Sequence, residues 1–375
     1  MKRGQEHRDA RCASKDVADS SGRRVYGLLC FSNDADLSIV IKGHGWLHNC
    51  SSLVAFDSTN LGPLHSVGHD WLSCCTSLTT LDCRGLTQLH VVGDYWLNNC
   101  SSLRSMDCTG LTMLTQAGRC WLYNCVGLTS VNCKGLKQLH RVHDHWLHGC
   151  TSLTALDCTG LTRLLSIRFY WLQGCTSLTA LDCSGLTRLS EVGRDWLQGC
   201  TSLTALDCTG LAQLRSVGDS WLSNCSSLTA LDCSGLTRLS QVGCDWLQGC
   251  TSLTALDCTG LTQLRSVGAG WLSDCTNITA LDCTGLTRLC GVGRDWVRNC
   301  PSLTAVTATN SPPVAPFYWD CIAMTSPCCF HRDVSPIRFP HLPFDDSSSQ
   351  EFLDGSFMLT GDAEVLYNGV LYRSN

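Results

Sequence analysis

Aspartate recurs every 25 residues along this chain, at Asp57, Asp82, Asp107, Asp157, Asp182, Asp207, Asp232, Asp257 and Asp282, with Asn132 in the one gap. Carboxylates at a fixed interval, once stacked into a column, hold a basic peptide or cations; the alternative is one tolerated, solvated residue copied by duplication. Two unit charges one strand spacing apart, about 4.8 Å, repel in water by roughly 0.9 kcal/mol. A column of them must be screened, partly protonated or satisfied by donors. Beyond it lies a basic column of Arg163, Arg188, Arg238 and Arg288, with Arg215 and Arg265 two positions further along in alternate copies. Opposite signs on adjacent faces orient a partner and speed its approach more than they tighten it.

Other groupings invite chemistry and fall short of it. The stretch HRVHDHWLHGC gathers His140, His143, His145, His148 and Cys150. Imidazole and thiolate are zinc ligands, but this spacing matches no closed zinc motif and Cys150 belongs to a periodic apolar set, so no metal is expected. In the tail, Cys321, Cys328, Cys329 and His331 lack paired CxxC spacing. The triplet from His331 to Asp333 resembles a kinase catalytic loop, yet Arg338 stands where an asparagine is required, and no glycine-rich loop or strand lysine precedes it. With no set of nucleophile, base and orienting group in view, the expectation is a non-enzymatic protein with no catalytic residue and no cofactor. One irregularity reads differently. Arg168, Phe169 and Tyr170 replace a Gly-x-x consensus, and because exposed aromatics anchor interfaces, Phe169 and Tyr170 are the candidate contact hot spot.

The elements that carry these residues follow from the same interval. Tryptophan recurs every 25 residues from Trp46 to Trp296, the mark of a solenoid whose units bury their apolar faces only against one another. One copy, from Leu178 to Ser202, reads LTALDCSGLTRLSEVGRDWLQGCTS. Leu181 and Cys183 alternate around Asp182, which predicts a short half-buried strand with the carboxylate outward. Gly185 and Gly193 supply turns, and Leu186, Leu189 and Val192 step inward. Trp196, Leu197 and Cys200 have helical spacing, which predicts a short helical or 3-10 segment. Cysteines share the period, from Cys50 to Cys300 and from Cys83 to Cys283; as small buried hydrophobes they read as a reduced thiol ladder in a reducing, cytoplasmic setting.

Composition narrows the classes. The 375 residues are 44% hydrophobic and 16% charged with a net charge of −5, which disfavours nucleic acid and acidic membranes as general partners. The N-terminus carries charges without an apolar core segment, so no signal is expected, nor is membrane insertion. Four regions are expected: a disordered segment 1–25, a degenerate capping repeat 26–52, the solenoid 53–303, and a Pro-rich tail 304–375 that could cap its end.

At LTALDC, GLTRL, VG and WLQGC the chain resembles a leucine-rich repeat protein of the BspA-like subclass, and it is also similar to leucine-rich repeat proteins of trypanosomatid protists in using tryptophan at the aromatic place. The resemblance implies an α/β-type horseshoe of about eleven 25-residue coils, with short parallel strands on a concave face that binds protein and helical or 3-10 segments on the convex face. The chain is expected to act as an interaction scaffold, with the column Asp82, Asp107, Asp157, Asp182, Asp207, Asp232, Asp257 and Asp282 on its concave binding face and a partner carrying a basic segment. The alternative the resemblance implies is a secreted or surface adhesin. Leu186 and its equivalents depart from the common pattern by replacing an asparagine ladder.

Overall fold

In the computed structural model the described residues are 44–59 and 64–307, with the backbone of short outlying strands at Val17–Ala18, Arg24–Val25, Leu28–Leu29, Glu364–Tyr367 and Val370–Arg373. The expected disordered segment, most of the capping repeat and nearly all of the tail lie outside those residues.

Each coil makes two strands, both parallel to those of its neighbours. The first is three residues long, as in Ala180–Asp182, where Leu181 is buried between two outward residues. Register repeats by one coil: Ala155 pairs with Ala180, Leu156 with Leu181 and Asp157 with Asp182. The three-residue strands run from Ala55–Asp57 to Ala305–Thr307 in three consecutive sheets, while the second, two-residue strands form one unbroken ten-stranded ladder from Ser66–Val67 to Gly291–Val292. Among the described residues the stack is a parallel β-solenoid of about ten coils, and most of the degenerate copy expected to precede them lies outside those residues. The second strand, Glu191–Val192 in the copy above, goes beyond the sequence reading, because two residues are too short for alternation to register.

The third side of the coil corrects the helical expectation. Trp196 and Leu197 sit in a turn that ends just before Cys200, and alternate residues are left-handed: φ is +61° at Asp195, +60° at Leu197 and +70° at Gly199. A helix would close its amides on itself. Here they bridge coils, forward from Asp195 to the Asp219 carbonyl at 2.7 Å, back from Leu197 to Trp171 at 3.1 Å, and forward from Gly199 to Ser223 at 2.8 Å. Glycine, asparagine or aspartate fills the third left-handed position in nearly every coil, as at Asn124, Gly174, Asn224, Asp274 and Asn299, and these residues tolerate that conformation best. The leucine in the middle does not tolerate it intrinsically; it is held there by complete burial. The one helical element among the described residues is the 3-10 turn Thr209–Leu211.

The core consists of columns. Tryptophan rings from Trp46 to Trp296 stack with centroids 5.3 to 5.8 Å apart, near-parallel throughout. Their faces do the packing; the indole N–H groups from Trp71 to Trp271 find no hydrogen-bond partner among the described residues. One cysteine column donates its thiol hydrogens to the carbonyls of the left-handed leucines of the preceding coil, as from Cys225 to Leu197 at 3.1 Å and from Cys250 to Leu222 at 3.1 Å. Burial pushes the Cys225 thiol up to about 12, so it stays protonated and keeps that donor. The described cysteines are thiols, and Cys83 through Cys283 fill the second buried column. Where the asparagine ladder is missing, Leu186 is fully buried and its amide closes a turn on the Cys183 carbonyl at 2.9 Å. Glycine is required beside it: a Cβ at Gly210 would lie 1.9 Å from the Cys183 oxygen of the previous coil.

Candidate functional site

The aspartates end the three-residue strands, and each turns its Oδ1 back onto the chain. It accepts the amide two residues on, from Thr109 to Asp107 at 3.0 Å, Ser184 to Asp182 at 2.8 Å, Thr209 to Asp207 at 2.8 Å and Thr259 to Asp257 at 2.8 Å, with the same bond at Asp157, Asp232 and Asp282. This is an Asx turn, which gives the column a local structural job. Asn132 does it equally well, accepting from the Lys134 amide at 3.1 Å. Of the three ways to tolerate stacked carboxylates, the structure uses donors. The Arg84 guanidinium, at 2.5 Å, holds the Asp82 carboxyl below its ordinary value; bonds from the Thr159 side chain and amide do so at Asp157, and from the Ser234 amide and side chain at Asp232. The column is thus a solvent-facing stripe of carboxyl groups held by local donors. Beside it Thr129, Thr154, Thr179, Thr229 and Thr279 each donate a hydroxyl to the preceding coil's carbonyl, which stiffens the face.

The irregular copies build a different surface. Positions 93, 118, 193, 218, 243 and 268 are glycines pressed against the previous coil, so that a Cβ at Gly218 would lie 2.5 Å from the Arg194 nitrogen. His143 and Arg168 occupy two of these positions, and the coil-to-coil bonds there lengthen to 3.3 and 3.4 Å against 3.0 Å at Gly193 and Gly218. The locally opened junction carries a mosaic of rings. Tyr170 stacks on His145 at 4.3 Å, Tyr123 stacks on His148 at 4.9 Å, and Arg194 lies over both Phe169 and Tyr170 at 5.2 and 5.0 Å. Arg168 and Arg119 both reach Asp144, at 3.2 and 3.5 Å. Partial burial lowers the affinity of His145 and His148 for protons.

Phe169 rests over Gly193, where an added Cβ would meet its ring at 2.6 Å, and lines a groove of about 650 Å³ that extends from Arg141 to Ser266. The floor is the two-residue strand ladder at Glu191, Ser216, Gln241 and Ser266. None of the column aspartates lines it. The two sequence candidates, the carboxylate stripe and the Phe169–Tyr170 pair, therefore belong to separate strand faces.

The histidine cluster comes together only in part: the His145 and His148 rings meet edge to face at 5.3 Å, each also against a tyrosine, while Cys150 is in the core ladder. Among the described residues no group of three or more His, Cys, Asp or Glu is placed to hold a metal ion, and no helix is long and apolar enough to cross a membrane. The tail cysteines and the triplet from His331 to Asp333 lie outside those residues.

Three overlapping stretches, residues 43–154, 141–279 and 212–313, match the family described as BspA type leucine-rich repeat region. No protein of curated function matches the chain. Among solved structures, a Treponema pallidum leucine-rich repeat protein is 16% identical over 57% of this chain and 82% of its own, with a TM-score of 0.35. A leucine-rich repeat protein from Bacteroides ovatus is 17% identical over 76% of this chain and 85% of its own, at 0.32. The functional domain of InlJ from Listeria monocytogenes, which includes a cysteine ladder, is 19% identical over 67% of this chain and 70% of its own, at 0.24.

Proposed function

Because the chain belongs to the BspA-type leucine-rich repeat family, we propose that it is a non-enzymatic scaffold that binds a protein partner across its strand faces. The solvent-facing aspartate stripe is the observation that carries this reading. Each carboxylate is oriented by its own backbone before any partner arrives, so a basic segment laid along the coils meets a row of fixed charges at small ordering cost. Phe169 and Tyr170 supply a second, aromatic contact on the neighbouring face. An interior of protonated thiols suits a reducing compartment, so the cytoplasm is the proposed location; the adhesin reading requires the same thiols to persist outside the cell.

Asparagine keeps the Asx turn, as Asn132 does, which makes the test clean. A chain with Asp82, Asp107, Asp157, Asp182, Asp207, Asp232, Asp257 and Asp282 all changed to Asn should fold and melt like the parent but lose the protein that the parent captures. Equal capture by a folded variant would remove the stripe from the binding surface.

A further inference from the structure

A second charged feature has no role in that reading. Arg163, Arg188, Arg215, Arg238, Arg265 and Arg288 are all exposed and supply one guanidinium to each of six successive coils. They occupy two positions, since Arg215 and Arg265 stand two residues beyond the site held by the other four. The coils rise about 4.8 Å each, so the row spans roughly 24 Å. Among the described residues none of the six is paired with a carboxylate. Arg163 and Arg238 donate instead to the neutral Gln138 and Gln213, at 2.5 and 2.7 Å, and a guanidinium has five N–H donors, so one such bond uses only part of its capacity.

Three of them converge. Arg215, Arg238 and Arg265 line an open groove of about 730 Å³ whose other walls, including Thr237, Gln241 and Gln263, are neutral hydrogen-bonding side chains, with no acid among them. We propose that this row binds a sulfated polysaccharide lying along the solenoid axis, a ligand of the cell exterior, so this inference rests on the surface reading of the chain and not on the cytoplasmic one. Guanidinium forks match tetrahedral oxyanions with paired hydrogen bonds. The amides and hydroxyls between them match sugar hydroxyls, for which a bare inorganic polyanion would have no use. A single-stranded nucleic acid would need aromatic platforms for its bases, and this groove has none. The carboxylate stripe does not contribute to the groove, so the two surfaces stand or fall separately.

The test uses the full chain and a fluorescent heparin-type sulfated hexasaccharide, with its desulfated form, a single-stranded DNA and an oligoglutamate of similar length beside it. The sulfated sugar should bind and the desulfated one should not. The triple variant R215Q/R238Q/R265Q, with its melting temperature checked, should bind at least about tenfold more weakly and with a shallower salt dependence. R215K/R238K/R265K should recover part of the affinity, because it restores charge without the fork. No binding of the sulfated sugar would overturn the proposal, as would unchanged affinity in the triple Gln variant. Equal or tighter binding of the DNA or the oligoglutamate would also overturn it.

Discussion

The coils from about 193 onward and the junction at His143 to Tyr170 are built on the same 25-residue plan and differ at a handful of positions. In the regular coils a glycine lies flat against its neighbour and the ladder bond is 3.0 Å; at the junction a histidine and an arginine stand there and the bond stretches to 3.3 and 3.4 Å. The opened backbone carries nearly all the surface ring stacking and cation–π contact of the described chain beyond its N-terminal coils. Repetition thus fixes the scaffold, and departure from repetition creates a distinctive surface at a cost in coil-to-coil closure.

Breaking the regular region should hurt most through its aromatic column. Trp221→Ala removes a fully buried ring between two stacked neighbours and should cost roughly 3–5 kcal/mol; denaturant unfolding that matches the parent would contradict that placement. Writing the junction into a regular coil is the next largest change. Gly218→Arg forces a Cβ to 2.5 Å from the Arg194 nitrogen, and a loss of about 1–3 kcal/mol is expected. If it is tolerated without loss, the glycine column is not a packing requirement.

Smaller effects separate the turn from the charge. Asp207→Ala removes the acceptor of the Thr209 amide and should cost about 1 kcal/mol, whereas Asp207→Asn should melt with the parent. Similar losses in both would assign the column's role to charge instead. At the junction, burial lowers the proton affinity of His145 and His148 below the usual histidine value. The unfolded chain then binds more protons in the window beneath about 6.5, so stability should fall as pH drops through it and recover as pH rises. His145→Asn, which keeps a residue tolerant of φ +63°, together with His148→Gln should flatten that dependence in thermal melts.

Much of this was legible in the residues. The 25-residue tryptophan and cysteine columns report buried, stacked positions directly, because each coil can bury its apolar side only against a copy of itself. The outward aspartate followed from alternation around Leu181. The Asx turn was not foreseen, although Asn132 in the same column signals it: an amide that replaces a carboxylate keeps the acceptor and discards the charge. The helical reading of the WLxxC segment failed because spacing alone cannot distinguish a helix from a turn that alternates handedness. The Gly, Asn and Asp residues two positions after the leucine were the available clue. That Phe169 and the aspartates lie on separate faces depends on a second strand of only two residues, which no periodicity reveals.

The most direct test of the division between scaffold and surface is the affinity of the purified captured partner for two variants of the full chain. Phe169→Ala with Tyr170→Asn strips the rings while leaving a residue suited to φ +66°, and Cys244→Ala with Asp245→Asn makes the equivalent change in a regular coil. The account predicts at least about tenfold weaker binding for the first and parent-like binding for the second. Equal affinities for the two variants would contradict it.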